Sequence, residues 1–361
     1  ALTQFLDHDR AAGLDLTAPP LMRLAIARLS PTQVHLIWTF HHLLLDGWSV
    51  FHVLTDVFAA HAALAAGHPP APAARPPFRD YLDWLARQDP AHAETYWRHA
   101  LTGFDTPTPL PYDRPPAHHH TAQSAQWHAA ALDKQDSARL SEFAHKHSLT
   151  LNTLLQGAWA LLLSRYTGHH DIIFGATVAG RPADLPGASD ITGIFINTLP
   201  VRALIDDAST VTAWLQALQS AQAEARQHHA AALAQVQAWT AIPDGSSLFD
   251  SIIVFENYPI NNDAAAAHGL RLRDLDAREK TNYPLTIAAS PGPPLTLDIG
   301  YDPALFDTAT AERMARHLQA LLAAIAAGPG QLVGTLPLLT PAEQAQVLTG
   351  WNDTARPVAP A

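Results

Sequence analysis

The chain has 361 residues, 48% of them apolar, with a formal net charge of -11 and 22 lysines plus arginines. That length exceeds one ordinary hydrophobic core, so two domains or two lobes are expected. The scarce, unclustered basic residues argue for no nucleic acid and no anionic membrane as partner. The absence of cysteine rules out disulfides, thiol catalysis and thiolate metal sites.

The first residues, ALTQFLDHDRAAGLDL, carry acidic side chains rather than the charge pattern of a signal peptide, and no apolar run approaches the roughly 20 residues that span a bilayer. A cytoplasmic location is therefore expected. The chain starts without methionine, as a segment cut from something longer would. The runs LMRLAIARL and QVHLIWTF, separated by SPT, read as neighbouring antiparallel strands. After Gly47 the apolar period changes, and Val50, Phe51, Val53, Leu54, Val57 and Phe58 predict a helix over 48–66 with one buried face. GHPPAPAARPP is an extended linker. FRDYLDWLARQD and AHAETYWRHAL are two short helices with aromatic faces. DTPTPLPYDRPPAHHHT bridges the two halves.

The second half restarts with an alternating strand, SAQWHAAAL, then helices over 134–147 and 151–166. DIIFGATVAG is a strand ending on Gly180, Arg181 and Pro182, GIFINTLPVRAL is another, and a long helix covers 210–230. LFDSIIVFENY, YPLTIAAS and LTLDIGYD supply three more strands. TATAERMARHLQALLAAIAAG is an amphipathic helix with Thr308 or Thr310 as N-cap. Each half mixes sheet with covering helices, an α+β layer architecture.

With 21 histidines in the chain, adjacent pairs carry little information alone. His118 to His120 lie in a proline-rich stretch without a placed carboxylate and read as solvated filler. His169 and His170 read as a helix-to-strand turn, and His228 and His229 as residues favoured near a helix C-terminus. His41 and His42 differ because of their neighbours in IWTFHHLLLDGWSVFHVL. They end an apolar strand, and Asp46 and Gly47 follow after three leucines. A buried loop of this kind needs every polar group satisfied, an ionised Asp46 there needs a cation, and histidine is suited to proton transfer near neutral pH. The chemistry alone leaves two readings open: an active-site loop, or a satisfied core histidine with a capping aspartate.

HHLLLDGWS resembles the HHxxxDG motif of condensation domains from nonribosomal peptide synthetases, members of the chloramphenicol-acetyltransferase-like acyltransferases. The resemblance runs in order along nearly the whole chain. GLDLTAPPLMRLAIARL is similar to the segment just upstream of the histidines, FRDYLDWLARQD with YWRHAL to the Y-x-D-F-x-x-W block, and GATVAGRPADLPGASDITGIFINTLPVR to the G-R-P and G-x-F-x-N-T-x-P-x-R blocks. TNYPLTI resembles the block ending in N-P-L, and LPLLTPAEQAQVLTGWNDTARP the linker into an adenylation domain. QHHAAALAQVQAW matches the H-Q-D-x-P-F-E block only loosely, so no roles are carried onto it. The two earliest motifs of the family are missing, and an N-terminally truncated first lobe is expected.

The resemblance implies two chloramphenicol-acetyltransferase-like lobes, each a two-layer α/β sandwich, in a V-shaped pseudo-dimer with a central tunnel. Expected boundaries are 1–103 for the remaining first lobe, 104–121 for the inter-lobe linker, 122–335 for the second lobe and 336–361 for the linker toward an adenylation domain. It implies peptide-bond formation between substrates carried as thioesters on the phosphopantetheine arms of upstream donor and downstream acceptor carrier domains, with no cofactor or metal bound by the domain itself. His42 matches the active-site histidine, as base or as amine-positioning partner, and His41 is structural. Asp46 matches a structural aspartate, with Arg181 its expected bidentate partner. Gly47 lets backbone and substrate approach. Trp48 and Ser49 open a helix whose N–H groups could polarise an oxyanion, and Asn197 is either a tunnel contact or an asparagine closing a strand end. HHLLLDGWS with LFDSIIVFENYP resembles more closely the sub-class that takes a D-configured donor. The alternatives are an epimerisation domain, an ester-forming acyltransferase and a non-catalytic, partner-recruiting module.

Overall fold

A computed structural model describes residues 2–117, 120–242, 246–256, 265–273, 277 and 279–354. His118 and His119, the 257–259 end of LFDSIIVFENYP and the 355–361 end of the expected adenylation linker lie outside the described residues. The chain divides into two units: one gathers the described residues of Ala1–Arg87, Gly180–Ile196 and Tyr258–Leu275, the other those of Gln88–Ala179, Asn197–Asn257 and Asp276–Ala361.

In the first unit, α1 (Leu2–Ala12) precedes an antiparallel pair, β1 (Met22–Ser30) and β2 (Gln33–Phe40), in which Met22 pairs with Phe40 and Arg28 with Val34. Asp9 ties α1 to both strands, accepting from Arg23 Nε at 2.8 Å and Thr39 Oγ1 at 2.6 Å. No residue of either strand is fully buried, and Leu24, Ile26, Val34 and Leu36 stand exposed. Helix α2 (Gly47–Ala65) buries only Ser49 and Phe58. By length and composition alone α2 could cross a membrane, which corrects the expectation that no run comes near that length. Asp56 in mid-helix, bonded to Arg75 at 2.8 and 2.9 Å, is a costly group for such a span. Helix α3 (Phe78–Leu85) buries Tyr81 and Trp84.

The second unit holds a six-stranded mixed sheet in the order β3-β8-β7-β6-β4-β5. Its strands are β3 (Gln126–Ala131), β4 (Asp171–Val178), β5 (Asn197–Leu204), β6 (Ser251–Phe255), β7 (Leu285–Ser290) and β8 (Thr296–Tyr301). β6 runs parallel to β4 and β7, and the other pairs are antiparallel. Alternate side chains of β4 enter different cores, as the period of two requires. Ile172, Phe174 and Ala176 join α5 (Lys134–Lys146), α6 (Leu151–Thr167), α7 (Val211–Gln227) and α9 (Thr308–Ala327). Ile173 joins α4 (Pro90–Ala100) and α8 (Leu233–Ala238), a second covering layer beyond the expected two. Helix α6 buries 12 of its 17 residues and is the centre of the larger core.

Two expected boundaries move. The first stretch of the first compact unit ends at Arg87, where the lobe was expected to run to 103, because Ala93, Trp97, Leu101 and Phe104 pack with Ile173, Leu199 and Ile252 of the second unit's sheet. Residues 180–196, expected inside the second lobe, belong to the first unit, and β5 accordingly starts at Asn197. The proline-rich stretch 104–121 is held onto the second unit by named bonds. Asp113 accepts from the backbone N–H of Asp307 at 2.7 Å and from Thr310 Oγ1 at 3.0 Å, so a remote carboxylate serves the start of α9 where Thr308 or Thr310 was expected to. Arg114 donates to Asp307 Oδ1 at 2.7 Å. His120 is no filler: its Nε2 lies 2.8 Å from Oδ2 of the buried Asp302.

Candidate active site

Strand β2 delivers the chain to His41, whose backbone N–H donates to the Leu21 carbonyl at 3.0 Å. The His41 ring turns back on its own loop and accepts from the Leu43 N–H through Nδ1 at 3.1 Å, so a neutral His41 carries its proton on Nε2. Leu44 N–H closes the turn onto the His41 carbonyl at 3.0 Å. His42, at the outer corner, is exposed, and no described residue hydrogen-bonds its ring. Leu45 and Asp46 then plunge inward, 5% and 1% exposed.

Asp46 is the N-cap of α2, extended at φ -93° and ψ 176°, and its Oδ1 accepts from the Ser49 N–H at 2.8 Å. Its Oδ2 accepts from the Phe195 N–H at 3.2 Å. Arg181 completes the set, but not as a two-nitrogen fork. Nη2 alone reaches Oδ1 at 3.1 Å and Oδ2 at 3.3 Å, while Nη1 donates to the carbonyls of Ala188 at 2.6 Å and Ile191 at 2.9 Å. The guanidinium lies over the Phe195 ring, 4.1 Å from its centroid. One cation thus neutralises a buried carboxylate and closes the 181–191 loop.

Gly47 is the first residue of α2 and Trp48 the second, both half-buried. Ser49 is fully buried: its hydroxyl donates to the Gly193 carbonyl at 2.6 Å and accepts from the Gly193 N–H at 3.0 Å and Arg181 Nη2 at 3.1 Å. A hydroxyl has one proton and two lone pairs, so nothing remains for a substrate. The Ser49 side chain thus serves the interior, and its backbone N–H is taken by Asp46 Oδ1 at 2.8 Å. Asn197, in the second unit, donates through Nδ2 to the carbonyls of His229 at 2.8 Å and Ala231 at 2.7 Å and accepts from the Thr198 N–H at 2.8 Å. Those are the bonds of an asparagine that closes a strand end.

Gly193 and Phe195 stand in GIFINTLPVR, and Phe78, Tyr81 and Trp84 in FRDYLDWLARQD, but sequence alone assigned none of them a place at this site. Phe78 and Tyr81 place their rings 5.6 and 4.3 Å from Phe195, and a Cβ on Gly193 would collide with the Phe78 ring. Trp84 donates to Asp184 Oδ2 at 3.1 Å. The signal was the spacing of Phe78, Tyr81 and Trp84 on one face of α3. Gly180, at φ +58°, turns the chain so tightly that a Cβ would overlap the Phe195 carbonyl. His52, one turn beyond Ser49, is held below the ordinary histidine range by burial and then by the Arg75 and Arg181 cations.

Comparison with known proteins bears on the same residues. A sequence profile of the condensation domain matches residues 1–348. The chain is 42% identical over 359 residues to a linear gramicidin synthase polypeptide of Brevibacillus parabrevis, covering 98% of this chain and 7% of that protein. It is 42% identical over 350 residues to chondramide synthase cmdD of Chondromyces crocatus, covering 97% and 9%. Among solved structures, the complex of the X-domain and OxyB from teicoplanin biosynthesis matches with a TM-score of 0.74 and 26% identity, over 93% of this chain and 78% of that one. The chain thus spans less than a tenth of the length of these synthases. With the motif turn and its Asp46–Arg181 support in place, the profile match over residues 1–348 and the 42% identities make this chain a member of the condensation-domain family of nonribosomal peptide synthetases.

Proposed function

We propose that this domain forms an amide bond between two carrier-bound substrates. The amine of a downstream aminoacyl thioester attacks the carbonyl of an upstream peptidyl or aminoacyl thioester. A carbon–nitrogen bond forms, the carbon–sulfur bond breaks, and the amine proton passes to the departing thiolate. Both substrates arrive on phosphopantetheine arms of neighbouring carrier domains, and an adenylation domain in the same polypeptide loads the acceptor. The resemblance of HHLLLDGWS and LFDSIIVFENYP supports the D-donor sub-class.

The observation that carries the reading is the contrast between two residues of one motif. Asp46 is buried with both oxygens engaged, whereas the His42 ring is exposed and unbonded among the described residues. His42 therefore acts without a carboxylate from Asp46. An α-amine of pKa about 7.7 to 8.0 needs only modest help to stay nucleophilic, so accepting its proton or orienting it suffices once two tethered partners are aligned. Gly47 and Trp48 open α2 beside the turn, where their N–H groups could face a developing oxyanion.

The test uses the full synthetase polypeptide with loaded donor and acceptor carriers. His42→Ala is expected to lower the single-turnover rate of amide formation by about 100-fold or more; a parental rate would remove the catalytic assignment. A second reading, a partner-recruiting module, draws on the likeness to the X-domain, solved in complex with OxyB. That reading gains if the parent itself forms no amide bond with loaded carriers.

A further inference from the structure

The geometry points to Ser49 as a positioning residue for the reaction. Its hydroxyl fixes the inner end of the His42 turn to the 180–196 segment. This rests on the function proposed above.

Three observations carry it. First, the hydroxyl proton has one possible place. The Gly193 N–H and Arg181 Nη2 both donate to Oγ, at 3.0 and 3.1 Å, so the proton points to the Gly193 carbonyl at 2.6 Å. Second, that carbonyl also accepts from the Asp46 N–H at 3.3 Å, so the two residues flanking Gly47 and Trp48 grip the same distant carbonyl. Third, Gly193 cannot retreat or be replaced, because the Phe78 ring occupies the space behind it. The loop from His42 to Asp46 has no helix or strand of its own, and its outer end is fixed by His41 to Leu21 and Leu43. Its inner end depends on Asp46 for charge and on Ser49 for backbone registration. Removing the hydroxyl leaves Asp46 paired and its long 3.3 Å bond to the Gly193 carbonyl in place, but it takes away the shorter donor to that carbonyl and the acceptor of the Gly193 N–H, and a displacement of His42 by a fraction of an ångström follows. Catalytic geometry is sensitive to such shifts.

The experiment compares Ser49→Ala, Ser49→Cys and His42→Ala in the full polypeptide with loaded carriers, at a temperature where near-ultraviolet circular dichroism shows each variant folded. Ser49→Ala is expected to lower kcat by about 10- to 100-fold with the KM for each loaded carrier unchanged. Ser49→Cys keeps the size but supplies only a weak donor, and falls between Ala and the parent. If Ser49→Ala does not fold, Ser49→Cys alone decides the matter by the same split. A parental kcat in a folded variant overturns the proposal, as does a rise in carrier KM that accounts for the whole loss. His42→Ala separates the two ideas: a parental rate there sinks the reading of the site, whereas an inactive His42→Ala beside a fully active Ser49→Ala sinks only the role of Ser49.

Discussion

Asp46 and Arg181 meet through a single guanidinium nitrogen, Nη2, which lies 3.1 and 3.3 Å from the two carboxylate oxygens while Nη1 holds the Ala188 and Ile191 carbonyls. With side-chain exposures of 0% and 12%, neither charge is well solvated. Arg181→Ala should therefore cost about 3–5 kcal/mol, because it strands a buried carboxylate. Asp46→Asn keeps the cap acceptor and should cost less. In urea titrations the double variant is expected to fall well short of the sum of the two, since the second change removes a charge already uncompensated. Additive losses would show that the two residues do not form a unit.

The elements of this site were readable where chemistry is local. HHLLLDGWS places a cap residue after a strand and before an apolar helix, and the cap forms at Asp46. The need of a buried carboxylate for a cation pointed to Arg181 once the family resemblance had singled out the GRP block. The pairing of Ser49 with Gly193 was not readable, because a side-chain hydroxyl meeting a backbone peptide across 144 residues leaves no periodic trace. Composition also misled. In a chain with 21 histidines the tract around His120 looked like filler, yet its third member bonds a buried aspartate. Prolines mark a stretch without helix or strand, not one without contacts: among its described residues, Asp113, Arg114 and His120 fasten 104–121 to the rest of the second unit.

Burial predicts where the fold opens first. Helix α2 buries two of 19 residues and β1 and β2 none, whereas α6 buries 12 of 17. Backbone amides of 22–40 and of the last two turns of α2 should exchange with solvent orders of magnitude faster than those of α6. The first turn of α2, fastened by Asp46 and Ser49, should be slower than the rest of that helix. Hydrogen exchange read by mass spectrometry checks both statements, and uniform protection along α2 would contradict the second.

The last prediction concerns acid. His317 in α9 is buried between two partners: Nε2 lies 3.1 Å from Glu343 Oε2 in α10 (Pro341–Ala345), and Nδ1 lies 2.7 Å from the Tyr166 hydroxyl. Burial pushes the Tyr166 phenol up to about 12, so it keeps its proton and donates to Nδ1, and the neutral ring donates from Nε2 to Glu343. Burial likewise pushes His317 below its ordinary value of 6.5, with Arg313 and Arg316 acting in the same direction and Glu343 opposing. A group whose folded pKa is depressed binds more protons when unfolded. The stability it contributes is therefore present above about 6.5 and is lost as pH falls from there toward the lower folded value. Glu343 is also shifted down; burial raises it, but the Thr340 N–H and hydroxyl and then His317 outweigh that, so its contribution fades only below the ordinary carboxylate range. As pH falls, the His317 window opens first, below about 6.5, and that of Glu343 opens only below its ordinary value of 4.5. Thermal melts should show the parent losing stability between pH 7 and 5.5, and His317→Gln, which still offers a donor to Glu343 but cannot titrate, should show a shallower slope. Because His52 and His228 are depressed in the same sense, the difference between the two slopes isolates His317. Equal slopes would mean that protonating this ring does not unfasten α10 from α9.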